Sequence, residues 1–353
     1  MALATEDALD EALLPAYLRS IGLASGAEDV VVEPAGDGNI NWVRRARIAG
    51  RTSIVVKQAR PALERFPQYR ASTERIVFEH RWLERAAPHD ARGVCPRVLF
   101  FDEARRVLVL EDLGDAERLD HALLRGADVR DALRDLAALL ARVHAATHDP
   151  SLAAHFRNDE MQRLHGDHVF ALPFAPNDFP LEPELRARAE RLWRDDELRA
   201  IAARAYRRYL EPRGALVHGD VQAGNVLLPP GGVKLLDAEI AHFGDPAFDV
   251  GTLLAHLVLA GVARGALHDA AELAADTWDA YVSAAGEAPP VFADVARYAA
   301  LEVLRRTIGA ARVAAVRDTR HALAAVELGD RLARRPPASP AALAALLTKG
   351  STP

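Results

Sequence analysis

The chain has 353 residues, half of them hydrophobic, and a formal net charge of −6 at pH 7. This length predicts two domains or lobes around a sizeable core. The mild acidic excess disfavours nucleic acid and anionic membranes as partners, because both attract basic surfaces. The single cysteine, Cys95, excludes an internal disulfide framework and a multi-cysteine metal site.

The N-terminal residues lack the basic and apolar regions of a signal peptide. No run reaches the roughly 18 uncharged apolar residues that a membrane helix needs. We therefore expect a cytoplasmic protein.

The first part of the chain predicts an opening helix followed by a small antiparallel sheet. Residues 5–24 carry apolar side chains at helical spacing. Short apolar runs typical of strands then occur at residues 30–33, 41–48 and 52–58. The turn after the first run consists of Gly36, Asp37, Gly38 and Asn39. Its glycines would let backbone N–H groups approach the phosphates of a nucleotide, although this sequence is also an ordinary hairpin turn.

Lys57 closes the third apolar run, a position comparable to that of the strand lysine that holds ATP phosphates in kinases. Residues 72–87 predict a helix that carries two acidic candidates for its partner, Glu74 and Glu79. We favour Glu79 as the residue that orients the ammonium. The alternative is that both acids lie on a solvated helix face.

Two more strands follow, and the second one runs into a bend at Glu111, Asp112, Leu113 and Gly114. The bend lies where the chain changes from β-rich to α-rich, which is a suitable place for a hinge between lobes. Backbone groups of Glu111 and Leu113 are therefore predicted to contact adenine. The predicted divisions are an N-lobe at 1–112, a helical C-lobe at 113–335 and a flexible Pro- and Ala-rich tail at 336–353.

Two histidines in the helical half are interpreted without a catalytic role. His144 lies near the end of an amphipathic helix and is expected to be packed or to compensate the helix dipole. His165 begins a His-Gly-Asp triplet, but the position five residues after its aspartate is Leu172 instead of asparagine. The triplet is therefore expected to be either a loop contact or an incidental match to the motif.

The stretch from Leu216 to Gly251 carries the chemistry. Asp220 and Asn225 have the spacing of the HRDxxxxN loop of protein kinases, in which the carboxylate accepts the hydroxyl proton and the amide binds Mg²⁺. A hairpin then delivers Asp237 at a strand end, where its carboxylate would be the main Mg²⁺ ligand, and Glu239 is a candidate second ligand. The spacing predicts phosphoryl transfer from ATP.

These motifs resemble the aminoglycoside phosphotransferase and choline kinase-like group of small-molecule kinases. In that group HGDxxxxN and a later D-x-E or D-x-D replace the corresponding protein-kinase motifs. The resemblance spans roughly residues 28–320. It implies an α+β, bilobal protein-kinase-like fold with a β-rich N-lobe and a mainly helical C-lobe.

Within the group, four local stretches are most similar to the 5-methylthioribose kinase family. They are GDGNINWV, VVKQA, CPRVLFFDEARRVLVLEDL and LRRTIGA. The last contains Arg305 and Arg306, and the resemblance implies that this pair contacts the substrate and the transferring phosphoryl group. Guanidinium groups suit that role because they bind phosphate oxygens in a planar fork.

The sequence therefore predicts an ATP- and Mg²⁺-dependent kinase of a small metabolite, first a methylthioribose-like sugar. An aminoglycoside- or choline-type kinase with a cationic substrate is the alternative, and a nucleotide-binding pseudokinase is a third reading. An arginine pair facing the acceptor pocket would favour the sugar, whereas acids there would favour the cation. Whether the chain forms a homodimer is left open.

Overall fold

A computed structural model describes residues 8–35, 41–62, 70–286 and 289–348. Its N-terminal part is a five-stranded sheet in the order β1-β2-β3-β5-β4, with every neighbouring pair antiparallel. These strands are β1 Val30–Pro34, β2 Trp42–Ile48, β3 Ile54–Gln58, β4 Val98–Asp102 and β5 Val107–Glu111. The predicted opening helix is shorter than expected, with α1 at Leu14–Ser20, and the predicted helix at 72–87 is α2 at Arg75–Ala86.

Strand β5 is buried on both faces because successive side chains of a strand point to opposite sides. Val107 and Val109 pack on the face covered by α1, together with Leu14 and Leu18. The alternate residues of β5, Leu108 and Leu110, join the other core, which includes α2 and the helical half of the chain. The sheet is thus held between a small N-terminal helix and the main body of the protein.

The second part of the chain is mainly helical. Its helices are α3 Leu119–Leu124, α4 Arg130–Ala146, α5 Asp159–Gly166, α6 Pro183–Trp193, α7 Asp196–Leu210, α8 Pro246–Arg264, α9 Leu267–Ala285, α10 Phe292–Ile308, α11 Thr319–Arg334 and α12 Pro340–Thr348. Helix α8 is buried on all sides between α9 and α10, as expected for a helix that is apolar all round. It is long and apolar enough to cross a membrane, but 89% of its most apolar stretch of 18 residues is buried inside the fold, as in a core helix. The antiparallel sheet and the helical half confirm the predicted fold class.

Two small antiparallel sheets lie between these parts and carry the central sequence stretch. One pairs β7 with β10 and the other has the order β6-β8-β9. Their strands are β6 Glu117–Arg118, β7 Ala215–Val217, β8 Val226–Leu228, β9 Lys234–Leu235 and β10 His242–Gly244. The β8–β9 hairpin contacts the N-terminal part directly, because the Leu235 N–H donates to the Val94 carbonyl oxygen at 2.9 Å.

The C-terminal segment differs from the prediction of a flexible tail. Residues Pro340–Thr348 form helix α12, which packs on α9 and buries Leu343 and Leu347. The Pro-rich composition misled because the prolines precede the helix or begin it, where proline is tolerated. The last residues, 349–353, lie outside the described part of the chain.

Candidate active site

Lys57 is the centre of an ion-pair cluster that joins the sheet, α2 and the segment after β9. Its Nζ donates to Glu79 Oε1 at 2.7 Å and to Asp237 Oδ1 at 2.5 Å. Glu74, the other candidate partner, pairs with Arg106 instead. The structure therefore selects Glu79, as the sequence analysis favoured. Lys57 and Asp237 are 180 residues apart in sequence, so this pair fixes the sheet against the helical half.

The cluster shifts the pKa values of its members in opposite senses. Burial lowers the pKa of Lys57, but the Asp237 and Glu79 carboxylates outweigh it and hold that pKa above the usual range. Desolvation, with Asp237 and Glu239 nearby, raises the pKa of Glu79 to about 7 against the opposing effect of Lys57. Desolvation also raises the pKa of Asp237, but the Lys57 charge exceeds this effect and leaves the value below its ordinary range. Asp237 is thus ionised and ready to accept a cation.

Asp220 lies in the loop after β7 that the HGDxxxxN motif predicted. Gly219 precedes it with φ of 85°, and a Cβ there would lie 2.6 Å from the Ile240 carbonyl oxygen, so only glycine fits. Asn225 Nδ2 donates to Asp220 Oδ2 at 2.9 Å and to the Asp220 carbonyl oxygen at 3.0 Å. The five-residue spacing therefore closes a turn that places the carboxylate and the amide side by side.

Asp249, a residue without a role predicted from the sequence, holds this loop in place. Its two carboxylate oxygens accept the backbone N–H groups of His218 and Gly219 at 2.7 and 2.9 Å. His144 Nε2 lies 3.1 Å from the same carboxylate, so the expectation of a packed, non-catalytic His144 agrees with its place in this network. The available signal was an acid at the start of an otherwise apolar helix, since such a buried acid needs partners.

The candidate oxygen donors for a hard cation are on Asn225 and Asp237. The Leu236 N–H donates to the Asn225 carbonyl oxygen at 2.9 Å, which brings the two neighbouring segments together. Asp237 adopts a left-handed φ of 66° and its side chain is 45% exposed, although one of its oxygens is bound to Lys57. A carboxylate beside an amide oxygen is a donor set that fits Mg²⁺.

Glu239 is tied to the N-terminal part of the chain instead of facing outward. Its Oε1 accepts a hydrogen bond from Asn41 Nδ2 at 2.7 Å, and Arg75 Nε lies 3.3 Å from Oε2. Glu79, Asp237 and Glu239 have ligand atoms within 4.8 Å of one another, but Lys57 already supplies a positive charge there. Glu239 is for these reasons a weaker metal candidate than Asp237. Asn41 and Arg75 were not identified from the sequence.

Arg305 and Arg306 lie on α10, and both are buried against Glu302. Arg305 Nη1 is 2.9 Å and Arg306 Nε is 2.5 Å from Glu302 Oε1. Arg306 also reaches the Asp220 loop, with Nη2 at 3.6 Å from Asp220 Oδ1. The flanking guanidinium groups outweigh the effect of burial and lower the pKa of Glu302 to about 2. The pair therefore does not form the solvated face that two arginines on a helix usually suggest.

The remaining residues predicted to contact the nucleotide are those of the glycine turn and those of the bend after β5. Gly36, Asp37, Gly38 and Asn39 lie outside the described residues. At the bend, the Glu111 N–H donates to the Arg97 carbonyl oxygen at 3.0 Å, and the Glu111 carboxylate pairs with Lys234 at 2.5 Å. The Glu111 N–H is thus engaged within the protein, while Leu113 is half-buried just beyond the strand.

His165 departs from its expected place in a loop. It lies in α5, which also contains Gly166, and its Nε2 is 3.9 Å from Asp220 Oδ1. His165 therefore has no HGDxxxxN loop of its own, but the fold brings it close to the loop of Asp220. His256 on α8 lies similarly close to the arginine pair, with Nε2 at 3.9 Å from Glu302 Oε1.

Comparisons with known proteins agree with this geometry. A model described as the phosphotransferase enzyme family matches residues 31–301. The chain is 30% identical over 352 residues to methylthioribose kinase from Geobacillus sp. (strain WCH70), covering 89% of this chain and 87% of that one.

Two solved structures share the fold at lower identity. A choline/ethanolamine kinase family protein from Mesorhizobium loti has a TM-score of 0.51 at 18% identity, covering 96% of this chain and 98% of its own. An amicoumacin kinase in complex with AMP-PNP, Ca²⁺ and Ami has a TM-score of 0.52 at 14% identity, covering 94% and 96%. At these identities the two structures support the fold and leave the acceptor open.

Proposed function

Because the chain belongs to the phosphotransferase enzyme family and is a small-molecule kinase, we propose that it transfers the γ-phosphoryl group of ATP to a hydroxyl of a methylthioribose-like sugar, with Mg²⁺ as the metal. The observation that carries the proposal is the position of Arg306 beside Asp220. A guanidinium, whose planar fork suits phosphate oxygens, lies there next to the carboxylate that would receive the hydroxyl proton.

On the nucleotide side, Lys57 would hold ATP phosphates and Glu79 would orient it. Its ammonium stays charged because Asp237 and Glu79 raise its pKa against the effect of burial. The turn of Gly36, Asp37, Gly38 and Asn39 would cover the phosphates with backbone N–H groups. Adenine would meet the Glu111 carbonyl oxygen and the Leu113 backbone.

Asp237 and Asn225 would hold Mg²⁺, with Glu239 as the weaker third candidate. The metal supplies charge neutralisation at the phosphates when it is bound. The protein's own contribution is to keep Asp237 ionised and the Asn225 amide fixed, which the Lys57 contact and the Asp220–Asn225 hydrogen bonds support.

Asp220 would orient the acceptor hydroxyl and take its proton as the new bond to phosphorus forms. One of its oxygens is occupied by Asn225 and the other, Oδ1, has no hydrogen bond within the described part of the chain. A carboxylate held by one oxygen can present the other to a substrate hydroxyl in a defined direction. Arg305 and Arg306 would neutralise oxygens of the transferring group.

The charge balance beside Asp220 supports a neutral acceptor over a cationic one. Two guanidinium groups, Arg305 and Arg306, are opposed by two carboxylates, Glu302 and Asp220. No net negative charge therefore remains in this cluster to hold a quaternary or primary ammonium. A choline- or aminoglycoside-type site would need an excess of acids there.

The test is a panel of acceptors incubated with ATP and Mg²⁺, with ADP release and the phosphorylated product both measured. The panel contains 5-methylthioribose, ribose, choline and an aminoglycoside. We expect turnover with 5-methylthioribose to exceed that with choline and the aminoglycoside. Preferential phosphorylation of either cation, or no phosphorylation of any sugar, would contradict the proposal.

A further inference from the structure

Five buried polar atoms around the Asp220 and Glu302 carboxylates have no hydrogen-bond partner in residues 8–35, 41–62, 70–286 and 289–348. They are Asp220 Oδ1, His165 Nε2, His256 Nε2, Arg305 Nε and Arg306 Nη2. Buried polar groups are nearly always paired, so each such atom requires an explanation. Here the unpaired atoms share one location, which points to a common ligand instead of separate packing defects.

His165 is fixed in place by aromatic packing. The ring is 7% exposed and stands edge-on to Tyr209 and Phe248, with centroid distances of 6.3 and 5.8 Å. Its Nδ1 lies 3.4 Å from the Tyr209 hydroxyl, while Nε2 points toward Asp220 Oδ1 at 3.9 Å. One nitrogen is thus anchored and the other is directed at the carboxylate.

His256 approaches the same location from α8. The ring is 5% exposed, and Nε2 lies 3.9 Å from Glu302 Oε1, the oxygen that also holds both arginines. His256 also lines a small cavity of about 20 Å³ together with Leu123, Ala223 and Leu259. A cavity of this size accepts about one water-sized or methyl-sized group.

The separations suit a bridging oxygen. The pairs His165–Asp220 and Arg306–Asp220 are 3.9 and 3.6 Å apart, which is too long for a direct hydrogen bond. An oxygen beside either pair can lie within about 2.8 Å of both atoms. Hydroxyl groups of one polyhydroxylated ligand would therefore satisfy several of these atoms together.

We propose that His165 and His256 bind the acceptor by hydrogen-bonding hydroxyl groups of a neutral polyol, beside the hydroxyl held by Asp220. This role rests on the proposed function. A neutral imidazole both donates and accepts, so it can read a hydroxyl, whereas a guanidinium only donates. The small cavity behind His256 adds room for a compact apolar substituent.

The charge state of both rings agrees with this role. Burial, reinforced by Arg306, lowers the pKa of His256 to about 4. Burial, reinforced by Arg305, likewise holds the pKa of His165 well below its usual range. Both imidazoles are neutral at pH 7 and add no charge to the acceptor site.

The test separates the Nε2 atom from the bulk of the side chain. His165→Asn and His256→Asn remove the group at Nε2, whereas His165→Gln and His256→Gln retain a polar atom near it. With 5-methylthioribose, we expect the asparagine variants to raise the acceptor KM by about 10- to 100-fold and the glutamine variants to raise it less. The KM for ATP should change by less than about twofold in all four.

His242→Asn is the matched control. His242 is also buried with an unpartnered Nε2, but its Nδ1 contacts the Ile240 carbonyl oxygen and its ring packs on Tyr209, outside the unpaired cluster. We expect the acceptor KM of this variant to stay within about twofold of the wild-type value. An equal rise in His242→Asn would assign the effect to general loss of packing and overturn the inference.

A deoxy analogue gives the second readout. For the wild-type protein, kcat/KM should be about 10- to 100-fold lower with 2-deoxy-5-methylthioribose, or with its 3-deoxy counterpart, than with 5-methylthioribose. The asparagine variant of the histidine that contacts the missing hydroxyl should show almost no difference in kcat/KM between the sugar and that analogue. If removal of the hydroxyl lowers kcat/KM by the same factor in the wild type and in both asparagine variants, the proposed contact is wrong.

Failure of the proposed function is distinguishable from failure of this inference. Turnover of the sugar with an unchanged acceptor KM in both asparagine variants defeats the inference alone. If no sugar is phosphorylated, the proposed function is wrong. The role of the two histidines is then tested by measuring the affinity for 5-methylthioribose by calorimetry. Tighter binding to wild type than to the asparagine variants would support it, and no binding to wild type would defeat it.

Discussion

The two sides of the candidate active site differ in how their polar groups are paired. On the nucleotide side, Lys57 is bonded at the same time to Glu79 and Asp237, at 2.7 and 2.5 Å. On the acceptor side, Asp220, His165 and Arg306 approach one another without completing hydrogen bonds. The first set is organised by the protein itself, whereas the second is arranged so that a ligand would complete it.

The difference follows from what each side is built on. The lysine cluster joins a strand, α2 and the segment after β9, so its ion pairs must hold separate elements together. Of the acceptor groups, His256 and the arginine pair stand on α8 and α10, which are packed in the main core, while His165 stands on α5, which packs on α7. Asp220 lies in the loop that Asp249 holds. Core packing can keep unpaired polar atoms in position, at a cost in stability that a bound substrate would recover.

The largest expected effect is on the acceptor side, at Asp220 itself. Asp220→Ala should lower kcat by about 10²- to 10⁴-fold, because it removes the group that receives the hydroxyl proton. Nucleotide binding should change little, since Lys57 and Glu79 remain paired. Single-turnover product formation and calorimetric titration with an ATP analogue measure the two quantities, and wild-type turnover in the variant would contradict the assigned role.

Glu302→Gln should destabilise the acceptor side by about 3–5 kcal/mol, because it leaves two buried guanidinium groups without their shared carboxylate. The free energy of unfolding in urea measures this. Glu327→Gln is the control, since Glu327 is 62% exposed in its pair with Arg188 and should cost less than about 1 kcal/mol. An equal decrease in the free energy of unfolding in Glu302→Gln and Glu327→Gln would contradict the larger cost expected for the buried pair.

The contribution of His256 to the free energy of unfolding should fall as the pH is lowered from about 6.5 to about 4. Burial lowers the pKa of His256 to about 4 in the folded protein, while the unfolded chain binds that proton near pH 6.5. The neutral ring contributes its full stability above pH 6.5, and up to about 3 kcal/mol is lost as the pH falls through this window. Urea denaturation at several pH values should show a shallower slope for His256→Gln, and an identical slope would contradict the assignment.

The smallest expected effect is on the nucleotide side, where Glu79→Gln should raise the KM for ATP by about tenfold. The neutral amide would no longer hold the Lys57 ammonium by charge. Glu74→Gln is the matched control. Glu74 directly precedes α2, but it pairs with Arg106 and not with Lys57. Steady-state kinetics at saturating acceptor measure both, and a similar rise in the two variants would remove the special role of Glu79.

Much of the active site could be predicted because its signals are local. The interval from Asp220 to Asn225 is fixed by one turn of chain, and the Asp237 position follows from the short hairpin before it. Lys57 was recognisable from its place at the end of an apolar strand. The fold class followed from the resemblance that these motifs carry, and the short strands before long amphipathic helices agree with it. The tail was expected to be flexible, but it contains α12.

The sequence by itself therefore determined the reaction class, because phosphoryl transfer requires particular groups at short spacings that a linear motif preserves. Only the tertiary structure placed Asp249 under the loop of Asp220 and brought His165 and His256 beside it. These residues come from helices distant in sequence, and their approach depends on how the helices pack. No spacing along the chain encodes that packing, so the groups proposed to face the acceptor became visible only in the folded protein.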